Sequence, residues 1–301
     1  MPVLFAQIAA RANHAGQWRR RLCSVSMRSH LSPMQEDLIR LGLVDDYEIV
    51  LDEAALTLAL LDHPNANIDD YEALLGDIAV RLADVADAAV GEFARAEALS
   101  RVLAGEFGFI GDAKTYEDPA NADLIQVLER RRGLPVSLSI LYVAAARRLG
   151  WMANALDVPG HVLVLLGENV APVIVDPFGG GALVGRDQLA AMLTTADLGA
   201  SAAVRHVAAM PNRAVLVRLL ANQATRAEQA GKGRRALELY GRMTLIAPDY
   251  GPAWWERARL EHVDGNLPAA RNSLTAMLEI TRDPQTRSIV TRALEALGSV
   301  R

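Results

Sequence analysis

Apolar residues recur at helical spacing through residues 36–106, and polar or turn-forming residues interrupt them at regular intervals. One stretch, 47–64, reads YEIVLDEAALTLALLDHP and stops at Pro64. The next, 65–85, opens with asparagine and aspartate, which are common helix N-caps, and then repeats large apolar residues every three or four positions. This part of the chain therefore predicts three or four amphipathic helices.

Two further helices are predicted between residues 116 and 150. The first, YEDPANADLIQVLERRRG, has Asp118 as its N-cap and Pro119 at the first helical position, and three arginines followed by Gly133 mark its end. The second, GLPVSLSILYVAAARRLG, begins at Pro135 and ends at Gly150. Apolar residues at helical spacing along this second helix predict a buried face.

The sequence after Gly150 is rich in β-branched and other apolar residues. The segments ALDVPG, HVLVLL and APVIVDPF predict three short strands, and GEN predicts the turn between the last two. If Leu166 pairs with Ala171 around a four-residue loop, the same register places His161 directly opposite Asp176. The imidazole and the carboxylate would then meet on one face of a hairpin.

The last third of the chain repeats with a period of 34 residues. Gly231 and Gly265 are separated by this period, and so are three other pairs of small or apolar residues: Ala224 and Ala258, Ala236 and Ala270, Met243 and Met277. The spacing predicts two tetratricopeptide-like units, 217–250 and 251–284, each made of two antiparallel helices. A capping helix is expected over 285–300.

Composition and charge narrow the class of protein. Of the 301 residues, 51% are hydrophobic and only 5% are aromatic, which favours a folded and mostly helical chain. The net charge is −5, and residues 1–35 contribute +5 through five arginines, so the remainder carries −10. An acidic body argues against nucleic-acid binding, and the chain has no apolar run of about 18 residues that would predict a membrane span.

The basic segment 1–35 is interpreted as a disordered tail or an over-extended start, with Met1, Met27 or Met34 as the initiator. It contains Cys23, the single cysteine of the sequence, so no disulfide can form within the chain and a cytoplasmic location is expected. We expect no catalytic role for Cys23, because a flexible tail does not supply the positioned, electropositive surroundings that activate a thiol.

Several linked motifs resemble those of the bacterial SirB-type transglutaminase-like proteins. They are FGFIGDAKTYEDPANADLIQVLERRRGLPVSLSILYVAAARRLGW, VPGHVLVLL and VDPFGGGALV, and the resemblance extends over residues 45–285. It implies a transglutaminase-like core, related to papain-type cysteine proteases, followed by tetratricopeptide repeats. In the wider family pattern a nucleophilic cysteine, a histidine and an aspartate form a triad. The matching positions here hold Pro135, His161 and Asp176.

A proline in the nucleophile's position leaves several interpretations open. Ser137 is the alternative nucleophile, but it lies about 200° round the helix from position 135, and a hydrogen bond to the backbone is its other expected role. His161 and Asp176 could equally form a buried hydrogen-bonded pair without catalysis. Metal binding by Asp157, His161 and Asp176 is a weaker alternative, because one histidine and two separated carboxylates are a poor ligand set.

The sequence thus predicts an α+β, mostly helical protein with a small antiparallel sheet. Its expected parts are a tail over 1–35, a transglutaminase-like domain with an N-terminal helical subdomain over 36–210, and helical repeats over 211–301. The predicted function is a non-catalytic protein-binding or regulatory module, whose protein or peptide partner binds residues 213–301. The alternative is a hydrolase or acyltransferase that acts on amide or acyl substrates through Ser137, His161 and Asp176. No cofactor and no metal ion is expected.

Overall fold

The computed structural model describes residues 33–87, 89–167, 172–194 and 208–299. Over these ranges the chain forms twelve α-helices, a four-stranded antiparallel sheet and a short parallel pair of strands. The segment 1–32, with Cys23, lies outside the described residues, and the predictions made for it remain predictions. Within the described ranges, no helix is both long enough and apolar enough to cross a membrane.

The helices are numbered in chain order. Seven of them precede the gap at 195–207: α1 Pro33–Leu43, α2 Leu51–Leu60, α3 Ile68–Ala86, α4 Gly91–Leu99, α5 Leu124–Arg130, α6 Pro135–Arg148 and α7 Arg186–Thr194. Five follow it: α8 Asn212–Gln229, α9 Gly233–Ile246, α10 Gly251–Val263, α11 Leu267–Ile280 and α12 Pro284–Ser299. Helix α4 continues directly into a π-helical segment, Ser100–Glu106. The three or four helices predicted over 36–106 are confirmed as α1–α4.

The strands are also numbered in chain order: β1 Ile110–Gly111, β2 Arg132–Gly133, β3 Ala153–Val158, β4 His161–Leu166, β5 Val173–Asp176 and β6 Ala182–Leu183. Strands β1 and β2 form the parallel pair, with Gly111 opposite Gly133. The antiparallel sheet has the order β3-β4-β5-β6. The mostly helical α+β class predicted from the sequence is therefore confirmed, with a small antiparallel sheet that includes the three predicted strands.

The predicted helix over 116–133 is shorter than expected. Asp118 caps a helical segment, since its carboxylate accepts a hydrogen bond from the N–H of Ala120 at 2.9 Å, but that segment is only a 3-10 turn, Pro119–Ala122. Helix α5 begins after it, at Leu124. The prediction that Gly133 ends this helix is wrong. Arg131 already adopts the left-handed conformation, at φ 58°, and Gly133 lies in strand β2.

The chain divides into two compact units. One contains residues 63–111 and 131–210, and the other contains residues 36–62, 112–130 and 211–301. A border between them falls at 210/211, the predicted start of the helical repeats. Residues 36–62 and 112–130, which we assigned to the transglutaminase-like domain, belong to the same compact unit as 211–301. The domain boundaries at 36–210 and 211–301 remain a prediction.

Helix α6 is the buried helix of the first unit. All its residues from Pro135 to Ala146 are buried, so the burial includes the predicted face and extends beyond it. Pro135 begins it at the first helical position, as predicted. The helix packs against β3 and β4, and Arg147 in its last turn donates from Nε to the carbonyl of Ala153 at 2.8 Å.

The predicted register of β4 and β5 is wrong by two residues. Leu166 pairs with Val173, and Val164 pairs with Val175, so the continued register would place His161 opposite Phe178 rather than Asp176. Ala171, the predicted partner of Leu166, lies outside the described residues. Because side chains alternate between the two faces of a sheet, a shift of two keeps His161 and Asp176 on the same face, where diagonal neighbours can meet.

In the second unit, each of the helices α8 to α12 packs against the next one along the chain. The turn after α8 contains Gly231 at φ 70°, and the turn after α10 contains Gly265 at φ 75°. The carboxylate of Asp46 accepts hydrogen bonds from the N–H groups of Asn212 and Arg213, at 2.9 and 2.8 Å, and so caps the start of α8. The tetratricopeptide assignment of these helices remains a prediction.

Candidate functional site

His161 and Asp176 form a hydrogen-bonded pair, at the start of β4 and the end of β5. The Nε2 atom of His161 lies 2.8 Å from Oδ1 of Asp176. An ionised carboxylate can only accept, so the proton of a neutral His161 resides on Nε2 and its Nδ1 atom is left as the basic nitrogen. The two side chains are 19% and 16% exposed, so solvent or a ligand can reach them.

The backbone after Asp176 holds its carboxylate in place. The N–H of Phe178 donates to Oδ1 at 3.0 Å, and the N–H of Gly179 also stabilises the charge. Burial disfavours the charged carboxylate, but the hydrogen bonds from His161, Gly179 and Phe178 outweigh it, so the pKa of Asp176 lies below its ordinary value. Asp176 is therefore ionised at neutral pH and can fix the orientation of the imidazole.

Phe178 is a part of the site that was not predicted from the sequence. Its ring meets that of His161 edge to face, with centroids 5.9 Å apart at 81°. The ring of Phe178 also lies against Gly111, where an added Cβ would be 2.5 Å from the ring. The N–H of Gly111 donates to the carbonyl of Phe178 at 3.0 Å. Only the contact across the fold identifies this residue, because VDPFGGGALV served in the sequence only as one of the motifs that carry the family resemblance.

Helix α6 meets strand β4 beside the histidine. The hydroxyl of Ser139 donates to the carbonyl of Val162, the residue after His161, at 3.2 Å. Pro135 lies four residues earlier, one turn away on the same side of the helix. Ser137 is fully buried, and at two residues from Ser139 it projects about 200° round the helix from it.

Tyr142, in helix α6, is a second residue near the site that was not predicted from the sequence. In the sequence it is only one of the residues at helical spacing that predict the buried face of this helix. Its side chain is fully buried, and its hydroxyl has no hydrogen-bond partner among the described residues. Burial, and after it the negative charge of Asp176, raises the pKa of Tyr142 well above its ordinary value. The hydroxyl lies 2.8 Å from the point where a Cβ on Gly181 would stand, and Ser100 Oγ lies 2.9 Å from the same point. Gly181 is therefore needed to leave room for both side chains.

Comparison with known proteins places this site in a family. The model of the transglutaminase-like superfamily matches residues 69–221, about half of the chain, including helix α6, His161 and Asp176. The chain belongs to the transglutaminase-like superfamily.

Relatives of this superfamily member include bacterial proteins of nearly equal length. The chain is 30% identical over 256 residues to a UPF0162 protein of Xylella fastidiosa strain 9a5c, which covers 83% of this chain and 89% of that one. It is 40% identical over 90 residues to a UPF0162 protein of Vibrio cholerae, 30% of this chain and 33% of that one. It is also 33% identical over 82 residues to the human F-box only protein 21, covering 27% of this chain and 13% of that protein.

The weaker alternative, a metal site made of Asp157, His161 and Asp176, is not assembled in the described part of the chain. Asp157 lies in β3, opposite Val162, while His161 and Asp176 bind each other. No three histidine, cysteine, aspartate or glutamate side chains converge among the described residues in a way that could hold a metal ion.

Proposed function

We propose that this chain is a non-catalytic, cytoplasmic, SirB-type member of the transglutaminase-like superfamily that acts as a protein-binding or regulatory module. Its partner is a protein or a peptide, bound by tetratricopeptide-like units within residues 213–301. The degenerate site around His161 and Asp176 contributes either a structural pair or a pocket that holds a peptide-like or acyl group without turning it over.

One observation carries the non-catalytic assignment, namely what helix α6 presents toward the histidine strand. The side that meets β4 carries Pro135 and Ser139, and the Ser139 hydroxyl is already bonded to the Val162 carbonyl. Proline has no nucleophilic group and no N–H, and it suits the first position of a helix. The residue that the resemblance aligns with a nucleophilic cysteine therefore serves as the start of a helix.

The helical pairs at the end of the chain support the binding role. Gly231 and Gly265 occupy equivalent left-handed turns, 34 residues apart, between α8 and α9 and between α10 and α11. A repeat of two antiparallel helices with this period is typical of tetratricopeptide units, which commonly bind extended peptides.

The alternative is a hydrolase or acyltransferase that uses Ser137 with His161 and Asp176. It is favoured by the ionised Asp176 and by the hydrogen bond that fixes the imidazole, because this is the arrangement a general base needs. It requires Ser137, which is fully buried, to reach the imidazole from a side of α6 that differs from that of Ser139.

A fluorophosphonate probe separates the two functions. The probe forms a stable adduct with serines that an adjacent base activates, so the non-catalytic function predicts no adduct on Ser137 of the intact chain, measured by peptide mass spectrometry. An adduct on Ser137 that disappears in His161→Ala would overturn the non-catalytic assignment in favour of the alternative. Ser139 in the same peptide is an internal comparison for background labelling.

The binding role is tested with point variants of the full chain. Deletion of 213–301 is unsuitable, because it would remove Arg213 and Arg242, which bind Asp46 and Asp62. Val263 in α10 is 73% exposed, and Val80 in α3 is 54% exposed. Affinity capture from cell lysate should lose its specific partners with Val263→Glu and keep them with Val80→Glu. If all partners are retained with Val263→Glu and lost with Val80→Glu, the binding surface lies in the first unit instead.

A further inference from the structure

Arg131 carries a partly buried positive charge that no carboxylate of the described residues neutralises. Its guanidinium lies over the ring of Phe109, with 4.7 Å from Cζ to the ring centroid. Its Nη1 atom is buried without a hydrogen-bond acceptor, and no acidic side chain among the described residues pairs with it. Burial lowers the pKa of Arg131, with no opposing effect from a nearby carboxylate.

Arg131 differs from its two neighbours in sequence, because the guanidinium groups of both neighbours donate hydrogen bonds to acceptors in the protein. Arg130 donates to the carboxylate of Asp112 at 3.2 Å, and Arg132 donates to the carbonyl of Gly108 at 3.1 Å. Three consecutive arginines in sequence thus have three different environments. Of the three, only the middle one has a buried guanidinium nitrogen, Nη1, without an acceptor in the described part of the chain.

The backbone of Arg131 is also unusual. At φ 58° it is the only residue other than glycine with a positive φ among those that the structure describes. The position directly after a helix commonly takes this left-handed conformation, and glycine usually occupies it because a side chain there is strained. An arginine kept in this place, without a bonded partner for its charge, suggests a role that glycine could not fill.

We propose that Arg131 binds an oxyanion, a carboxylate or phosphate group of a ligand or partner of this protein. The planar guanidinium presents parallel N–H donors that match two oxygens of such a group, and the ring of Phe109 holds it in one orientation. Nη1 is buried, but the side chain as a whole is only partly buried, so an anion can reach the guanidinium from the side of Nε and Nη2. An oxyanion would neutralise a charge that is otherwise costly to keep out of water.

The position of Arg131 relates this anion site to the histidine site of the same unit. The carbonyl of Arg131 accepts a hydrogen bond from Ile110 at 3.2 Å, and the next residue along β1, Gly111, is bonded to Phe178. The same pair of short strands therefore holds both Arg131 and the ring that meets His161. The proposal does not rest on the absence of catalysis, because a substrate and a non-reacting ligand can equally carry an oxyanion.

Two measurements on the full chain test the proposal. In the first, the Nε–Hε resonance of Arg131 is followed by NMR as sodium phosphate or sodium acetate replaces sodium chloride at constant ionic strength. A saturable shift at roughly millimolar concentration is expected, as for a weak single-site contact. The stronger of the two anions identifies phosphate or carboxylate as the group that is recognised. No saturable shift with either anion would overturn the proposal.

In the second measurement, thermal unfolding is compared with and without the same anions in three proteins. The wild type and Arg101→Met should be stabilised, because Arg101 is an exposed arginine already paired with Glu106. Arg131→Met, which keeps an apolar stem over Phe109, should lose the anion-dependent rise in melting temperature, and Arg131→Lys should retain part of it. An equal rise in Arg131→Met and wild type contradicts the assignment to Arg131.

Discussion

The imidazole of His161 lies 2.8 Å from the carboxylate of Asp176, although the two residues are not opposite each other in the sheet. Phe178 lies beside both of them: its ring meets that of His161 edge to face, and its backbone N–H donates to the Asp176 carboxylate. The position of the pair therefore depends on the turn that follows Asp176 as well as on strands β4 and β5.

Replacement of Asp176 by alanine should remove the preference of His161 for the tautomer that is protonated on Nε2. In the wild type at pH 8 the proton is expected on Nε2, because only that nitrogen has an ionised acceptor. In the variant the Nδ1–H form should appear, and stability should fall by about 1–3 kcal/mol for the lost buried hydrogen bonds. Long-range ¹H–¹⁵N correlation spectra of the imidazole nitrogens report the tautomer. His262, which is exposed, should keep its shifts, and an unchanged His161 spectrum would contradict the assignment.

Gly111→Ala should destabilise the first unit by about 2–3 kcal/mol. The added methyl group would overlap the ring of Phe178, which is itself fixed between Gly111 and His161. Gly76→Ala is the matched control, because it lies within helix α3 with nothing within 4 Å of an added Cβ. The control should be stabilised by about 0.5–1 kcal/mol. Urea unfolding of the two variants measures both effects, and similar midpoints for both would show that the contact with Phe178 is unimportant.

Asp62 should contribute an acid-sensitive part of the stability. It binds Arg235 and Arg242, and Arg242 has only 7% of its side chain exposed. Burial opposes ionisation of Asp62, but the hydrogen bonds from Arg242 and Arg235 lower its pKa below the ordinary value. A carboxyl group whose pKa is lowered by folding stabilises the protein above the unfolded pKa of about 3.9. That contribution is lost as pH falls through this value toward the folded pKa.

Asp62→Asn should therefore be less stable than wild type at pH 7, by about 3 kcal/mol, because it removes the charge that two arginines share. The difference should shrink when unfolding is measured below pH 4. Asp249→Asn, at an exposed position, should match wild type at both pH values. A double-mutant cycle with Arg242→Met should give a coupling energy of about 1–3 kcal/mol. A coupling energy of zero would mean that the ion pair does not stabilise the unit.

Asp46→Ala should cost about 1–2 kcal/mol, because it removes the acceptor for two N–H groups at the start of α8 and a negative charge from the positive end of that helix. Asp45→Ala is the control, since Asp45 is exposed and its side chain caps no helix. Hydrogen exchange of the first amides of α8 checks the mechanism, because these amides should lose protection in the Asp46 variant alone. Equal loss in both variants would point to a general effect of the segment.

The helices could be predicted from sequence because local patterns determine them. Pro135 and apolar residues at helical spacing predict helix α6, and Asp118 and Pro119 correctly mark a helical start. The meeting of His161 and Asp176 could be predicted in spite of the wrong register, because a shift of two residues keeps both side chains on one face of the sheet. The register of β4 and β5 could not be predicted, because it depends on how many residues leave the ladder after Leu166. The contact of Gly111 with Phe178, and the unpaired Arg131, follow from packing between segments far apart in sequence. No local pattern signals them.

The cap that Asp46 places on α8 also bears on the order in which the protein can be completed as it is made. Residues 36–62 leave the ribosome at least 150 residues before Asn212 and Arg213, which supply the N–H groups that Asp46 binds. At about 5–20 residues per second, that interval is on the order of ten seconds or more. During synthesis this early segment must therefore wait without its final partners, and the second unit can close only when the last third of the chain has emerged.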